Sequence, residues 1–435
     1  MAEETAVNIS GLKDQLRSTD GRNALARLYG TADAVREQVA RYENLLDVFE
    51  GRFPSAGDDI AVFSAPGRTE VGGNHTDHNN GRVLAAAINL DTIAVAAPTS
   101  DGIITLFSEG YDEPFVVNTT ERRPRDEEQG TSNALIRGVA ARLSERGFRV
   151  GGLCGCVTSD VAVGSGLSSS AAFEVLVGTI LNHLYNGGAL EPREIALAGR
   201  HAENHFFGKP SGLMDQMTSA VGGFVTIDFA EPGNPVVRQV RFDLAASGLS
   251  LVVTNTGGSH ADLTPHYAAI QREMQVVARS LGKDSLRGLS AERLLDQVGR
   301  LRSHLSDRAI LRALHFFGDN KRVVEQVAAL ESADVARFLA LVNESGQSSW
   351  MLLQNCYVPS QPDQGVALGL ALSESILRGR GAWRVHGGGF AGTIVAFVPN
   401  DLLSSYTTRL DGAFGRGAAH VLTVRQTGAT VLPFE

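Results

Sequence analysis

The stretch VAVGSGLSSSAAFEV, residues 161–175, decides how the rest of the chain is read. Gly164 and Gly166 permit a tight backbone path. Ser168, Ser169 and Ser170 then open a helix, in which Phe173, Leu176, Ile180 and Leu184 recur at intervals of three and four and mark one buried face. A helix start offers free N–H groups and the positive end of the helix dipole, both suited to an anion. One serine would satisfy an ordinary N-cap. Three in a row after G-x-G exceed that need and point to a phosphate site, with hydroxyls as extra donors and one able to reach Mg²⁺. The segment is not a Walker A motif, because no G-K-[ST] follows, and it is not G-x-G-x-x-G.

Two further segments concentrate polar chemistry. APGRTEVGGNHTDHNNG (65–81) crowds Arg68, Glu70, Asn74, His75, Asp77, His78, Asn79 and Asn80 around Gly72 and Gly73. It reads as a polar turn whose donors and acceptors suit a polyhydroxylated ligand. A metal held by His75 and His78 would lack a close third ligand. In GRHAENHFFGKPSGLMDQMTSAVGG (199–223), His201 and His205 stand at i and i+4, but H-x-E-x-H is not the zinc pattern H-E-x-x-H, and they read as plain helix residues. Asp215 follows Ser211-Gly212 among apolar Leu213, Met214 and Met217. A carboxylate there needs a partner, and an arginine would keep it ionised. HGGGFAGTIVAF (386–397) is a glycine-rich turn entering a strand, a sign of backbone brought close to something.

Composition narrows the class. At ~100–200 residues per domain, 435 residues predict two to four domains. With 43% hydrophobic and 20% charged residues, whole-chain disorder is excluded. A net charge of −9 without a Lys/Arg cluster argues against a nucleic-acid partner. The most apolar stretch, Val83 to Ala97, is interrupted by Asn89 and Asp91 and is shorter than a bilayer span, so no membrane partner is expected. The first ten residues lack the pattern of a signal peptide. Cys154, Cys156 and Cys356 are too few and too odd in number for a disulfide framework, which fits a reducing cytoplasm. Cys154 and Cys156 would share one face of a strand as core thiols.

Along the chain, residues 10–50 read as two amphipathic helices, with Val35, Val39, Tyr42, Leu45 and Leu46 at helical spacing in the second. Strands are expected at 60–64, 92–97, 103–107, 152–158, 224–229, 250–254, 393–398 and 421–425. Helices are expected at 131–146, from 168 to Asn186-Gly187-Gly188, at 191–207, across 263–377 and at 402–414. Glu231-Pro232-Gly233-Asn234-Pro235 is the best linker candidate. The irregular alternation suggests α+β layers in two domains.

Taken in order, these blocks resemble the galactokinases of the GHMP small-molecule kinase superfamily. That family's first block reads G-R-x-N-x-I-G-E-H-x-D-Y, and here it is GRTEVGGNHTDH (67–78). Its second, P-x-G-x-G-L-S-S-S-A, is here AVGSGLSSSA (162–171). Its third, G-[GA]-G-F-G-G, is GGGFAG (387–392). GLMDQ (212–216) looks like its catalytic-aspartate region and TNTGGSHADLTPHY (254–267) like its sugar-contacting tyrosine region. The resemblance runs from about residue 55 to the end. It implies a two-domain α+β fold with the active site in the cleft: a helical extension at 1–55, an N-terminal ATP-binding domain at 56–232 and a C-terminal domain at 233–435. It implies ATP phosphates at Gly164, Ser165, Gly166, Leu167, Ser168, Ser169 and Ser170, with Mg²⁺ near Ser170 and Glu203. It makes Asp215 the acceptor of the anomeric hydroxyl's proton with Arg68 beside it, and Asn74, His75, Asp77, Gly212 and Tyr267 the sugar contacts. A cytoplasmic monomer that takes a small sugar and ATP is expected.

Four departures stand out. Asn74 replaces the Glu that holds the hydroxyl on carbon 6, Glu70 replaces Asn, Gly72 replaces Ile and His78 replaces Tyr. Asn can still hydrogen-bond a hydroxyl and would no longer repel a carboxylate, so galactose is expected and galacturonate stays open. Non-catalytic sugar sensors related to galactokinases tend to lose part of the serine loop. Ser168–Ala171 is complete here, which favours an enzyme.

Overall fold

The computed structural model describes residues 9–57, 59–162, 164, 166–258, 263–359 and 361–432. Its strands are β1 (Ala61–Gly72), β2 (Arg82–Thr99), β3 (Ile103–Ser108), β4 (Phe115–Asn118), β5 (Gly152–Ser159), β6 (Phe224–Asp228), β7 (Val236–Val240), β8 (Leu249–Asn255), β9 (Ala382–Val385), β10 (Thr393–Pro399), β11 (Ala419–Leu422) and β12 (Thr430–Val431). The helices are α1 (Ile9–Arg17), α2 (Thr19–Tyr29), α3 (Ala32–Arg52), α4 (Ser132–Glu145), α5 (Ser169–Asn186), α6 (Pro192–Ala202), α7 (Met214–Val221), α8 (Thr264–Ser280), α9 (Ala291–Asp296), α10 (Val298–Arg302), α11 (Asp307–Glu331), α12 (Val335–Ser348), α13 (Gly365–Leu377) and α14 (Leu403–Phe414).

Eight strands form the first sheet, in the order β12-β1-β2-β5-β3-β4, with β6 and β7 continuing from the first half of β2. Among the described residues only β3 and β5 pair in parallel. The pleat divides the side chains. Phe63, Ala65, Ala94, Ala96 and Val157 face α4–α7, while Val62, Ile93, Val95, Ala97, Cys154 and Cys156 face α1–α3. The two thiols are therefore core residues, and burial raises that of Cys156 to about 12. The second sheet, β11-β8-β10-β9, is antiparallel throughout. One of its faces packs on α11 and α12, the other on α13 and α14. Val71, Leu84 and Ile88 of the first sheet share a core with Leu251 and Phe397 of the second, so the two layers meet along α11 and α12. No helix among the described residues is long and apolar enough to cross a membrane.

Beyond strands that the expected list lacks (β4, β7, β9 and β12) and the greater length of β2, three differences bear on the architecture. The N-terminal region holds three helices, because Ser18 and Thr31 each accept a backbone N–H as N-caps and restart the helix. Residues 65–72 are not a loop: they are the second half of β1, with Arg68, Thr69 and Glu70 paired to Ala87, Ala86 and Ala85. Apolar alternation fails there because the buried charges are neutralised by partners far along the chain. Residues 231–235 turn the β6–β7 hairpin, a task that favours Pro, Gly and Asn as much as a linker does. The expected division at 232/233 falls in that turn, and β7 and β12 both lie in the first sheet.

Candidate active site

Asp215 lies in the first turn of α7, where the helix dipole favours a carboxylate. Arg68 reaches it from the middle of β1 in a fork: Nε donates to Oδ1 at 2.7 Å and Nη2 to Oδ2 at 2.6 Å. Arg68 Nη1 donates to the Gly166 carbonyl at 2.6 Å, and its backbone N–H to the Leu167 carbonyl at 3.0 Å. Ser168 Oγ also donates to Asp215 Oδ2. Burial pushes the Asp215 carboxyl up, but Arg68 and then Ser168 outweigh it, and the group ends below the usual carboxylate range. The side chain stays 30% exposed, so the carboxylate is ionised and reachable.

The glycine–serine loop leads straight into α5. Gly164 and Gly166 take φ of +78° and +75°, and Ser168 takes +63°. Ser170, in the first turn of α5, donates to Glu203 Oε1 at 3.2 Å. Glu203 begins a π turn that continues α6 to Phe207, and π turns recur at functional sites because they re-aim a side chain. Lys209 Nζ donates to the same oxygen at 2.7 Å, and Gln216 Nε2 bridges Glu203 and Glu174 at 2.9 Å each. Burial and the nearby Glu203 hold the Glu174 carboxyl well above its ordinary value. Ser170 and Glu203 offer hard oxygen ligands that suit Mg²⁺ sharing phosphate oxygens. Among the described residues no cluster of three or more His, Cys, Asp or Glu could hold a metal by itself.

Gly387 to Gly389 form the other wall. Their carbonyls are held in turn: Asn74 Nδ2 donates to Gly387 O at 2.7 Å, His75 Nε2 and Asn355 Nδ2 donate to Gly388 O at 2.9 and 3.1 Å, and Tyr267 Oη donates to Gly389 O at 3.0 Å. Burial pulls His75 down to about 4, so its ring is neutral. The next residue back, His386, accepts the Glu70 N–H at Nε2 (3.2 Å), sits 3.1 Å from Thr69 Oγ1, and donates from Nδ1 to Thr393 at 2.9 Å. Burial, aided by Arg68 and Arg384, pulls it to about 3. Six non-glycine residues among those described have positive φ, and His75, Ser168, Gln354 and Phe390 all flank this site. Such strain persists where the surroundings over-determine the backbone.

Arg68, Asp215, Gly166, Leu167 and Ser168 therefore lie together, and Ser170 meets Glu203. Ser169 opens α5. Asp77 lies directly against Gly212, where any side chain would collide with its carboxylate. Ser165 lies outside the described residues, as does the 259–262 part of the tyrosine region. Asn74 is different. It is fully buried, and its amide is consumed by Glu70, Gly387, Asn355 and Ser349. Its side chain is a strut of the wall and is closed to a ligand, contrary to the sugar contact expected of it. A pocket of about 320 Å³ opens near Asp77, Gly212 and Leu213, but Arg68 and Asp215 are not in its walls. Sequence reading missed Glu174, Asn355 and Arg384. The glycine run at 387–389 was the available signal for Asn355, since closely approached backbone needs something to hold its carbonyls.

The galactokinase galactose-binding signature matches residues 47–98, and the GHMP kinases N-terminal domain matches 134–223. Among solved structures, the galactokinase of Lactococcus lactis complexed with galactose is similar at 23% identity and a TM-score of 0.74, covering 89% of this chain and 99% of that one. The mevalonate kinase of Methanococcus jannaschii aligns at 15% identity and 0.58, covering 83% and 98%. The phosphomevalonate kinase of Streptococcus pneumoniae, in complex with phosphomevalonate and AMPPNP, aligns at 15% and 0.56, also covering 83% and 98%. At these identities the structural likeness speaks for the fold.

Proposed function

We propose that this chain, which matches the galactokinase galactose-binding signature and the GHMP kinases N-terminal domain, transfers the γ-phosphoryl group of ATP to the anomeric hydroxyl of galactose, giving galactose 1-phosphate and ADP. The observation that carries the reading is Asp215, ionised and forked by Arg68, beside the serine-rich start of α5. Phosphoryl transfer depends mainly on placing the groups and neutralising charge. The unpaired N–H groups at the start of α5 and the hydroxyls of Ser168–Ser170 would cradle phosphate oxygens. Ser170 and Glu203 would hold Mg²⁺, which neutralises phosphate charge when bound. Lys209, whose side chain is more than half exposed, can swing from Glu203 toward that charge.

Asp215 would accept a hydrogen bond from the anomeric hydroxyl and take its proton as the bond to phosphorus forms. A carboxylate held below its usual range is a weak base, so orienting the hydroxyl is the larger part of its role. Arg68 keeps that carboxylate charged and ties it to the loop carbonyl of Gly166. The test is ADP release from ATP, Mg²⁺ and a panel of galactose, glucose, N-acetylgalactosamine and galacturonate, with the product identified as a 1-phosphate. Turnover with galactose is expected. Sugar binding with no turnover on any member of the panel would mark a sensor instead.

A further inference from the structure

We propose that Glu70 is a positioning residue for the sugar side of the cleft, and that residues 70 and 74 act as one acid–amide pair whose members can trade places. This deepens the kinase reading above and rests on it. Glu70 Oε1 accepts from Arg384 Nη2 at 2.7 Å and from Asn74 Nδ2 at 2.9 Å. The same Asn74 amide nitrogen donates to the Gly387 carbonyl, and Asn74 Oδ1 accepts from Asn355 Nδ2 at 2.9 Å and Ser349 Oγ at 3.2 Å. Asn355 passes the connection on, donating to Gly388 O at 3.1 Å and accepting the Phe390 N–H at 2.5 Å. One unbroken path thus runs from β9 through β1 to the three glycines that face His75 and Tyr267.

The path has two chemical requirements. Arg384 is fully buried and spends Nη1 on the Val71 carbonyl, so one neighbour must be a carboxylate. Gly387 O and the carboxylate both need N–H donors, so the other neighbour must be an amide. Two acids would put carboxylates in contact. Two amides would leave a buried guanidinium without its ion-pair partner. The side chains of 70 and 74 touch, so either order meets both requirements. The motif that the first block resembles has amide first and acid second. Here the order is reversed while the pair's composition is kept.

The substrate class follows. Replacing Glu by Asn at 74 does not make room for a carboxylate on carbon 6, because the acid has moved only as far as its hydrogen-bond partner. The cations that flank the pair are engaged: Arg384 binds Glu70 and Val71 through its two Nη atoms, Arg68 binds Asp215 and Gly166, and His75 is neutral. The pair therefore favours a sugar that is neutral at carbon 6, and Arg200, in the wall of the pocket beside Asp77 and Gly212, is the cation that a uronate would have to use instead.

The test is a cycle of Glu70→Asn, Asn74→Glu and the double variant, with Glu70→Gln as the mildest change, read by thermal stability and by kcat and KM. Each single change should lower the melting temperature and raise KM for galactose by about tenfold or more, with little change in kcat or in KM for ATP. The double variant should return KM to within about threefold of the parent. Galacturonate should turn over at under about one hundredth of the galactose rate, as repulsion by the nearby Glu70 carboxylate implies. If the single variants do not fold, a folded, active double variant supports the proposal just as strongly. Losses in the double variant equal to the sum of the singles would overturn it, as would Glu70→Gln with unchanged KM or brisk turnover of galacturonate. Coupling in stability from a parent protein that turns over no sugar would sink the kinase reading and leave the pair intact.

Discussion

Asp91 of β2 and Asp215 of α7 are both carboxylates that face arginine, and they differ in what surrounds them. Asp91, in the middle of β2, is sealed: its side chain is 0% exposed against 30% for Asp215. Arg41 from α3 donates to it at 2.7 Å, Tyr29 from α2 at 2.6 Å, Arg425 at 3.0 Å, and Ser64 from β1 completes the set. Burial alone would raise its pKa, but Arg41 and Arg425 bring it below the ordinary value. Asp215 has one arginine and one serine and an open side. An acid satisfied from every direction can only hold elements together. An acid satisfied on one side has acceptor capacity left for a ligand.

The largest expected effect separates the two sites. Asp215→Asn keeps the shape and should cost about 10²–10⁴-fold in turnover, with ATP binding retained. Near-parental turnover in folded protein would make Asp215 structural. Asp91→Asn should do the reverse, losing about 3–5 kcal/mol of stability because Arg425 stays buried with no counter-charge, while kcat per folded molecule is kept. Calorimetry and kinetics on the same preparations test both halves.

A smaller effect sharpens the contrast. Arg68→Met should slow turnover by roughly 10²–10³-fold and move the acid limb of the kcat profile to higher pH, since Arg68 is what lowers the Asp215 pKa. An acid limb that does not move would mean that Arg68 acts on phosphate alone. The smallest effect concerns His75 and His386, which burial brings to about 4 and about 3. Both are neutral when folded and take up protons when unfolded. Their contribution is complete above the ordinary histidine value and is lost as pH falls toward the folded values. His386→Gln should therefore flatten the fall in stability between pH ~6.5 and ~4; a curve parallel to the parent's would remove His386 from that account.

The same comparison explains what could be read from sequence. The serine loop and the Asp215 block are local, with their residues adjacent, so spacing alone exposes them. Asp91 registers only as an interruption of an apolar run, because its partners lie at 29, 41, 64 and 425. The second half of β1 reads as a loop for the same reason. Glu70 looks out of place in a strand until Arg384, more than three hundred residues later, is beside it. Its place in a motif points Asn74 at the sugar, yet apart from Glu70 what consumes its amide comes from residues 349, 355 and 387.

The return of the chain to its first sheet has a consequence for synthesis. After β11 in the second sheet, Thr423–Arg425 run beside Ala87–Asn89, and β12 closes the edge next to β1. As the polypeptide leaves the ribosome, β1 and β2 emerge more than three hundred residues before Arg425. Through that interval Asp91 has Arg41 as its only arginine and β1 has an open edge. Unpaired strand edges are prone to aggregate, and this molecule leaves the edge of its earliest strand open until nearly the last residues have been made.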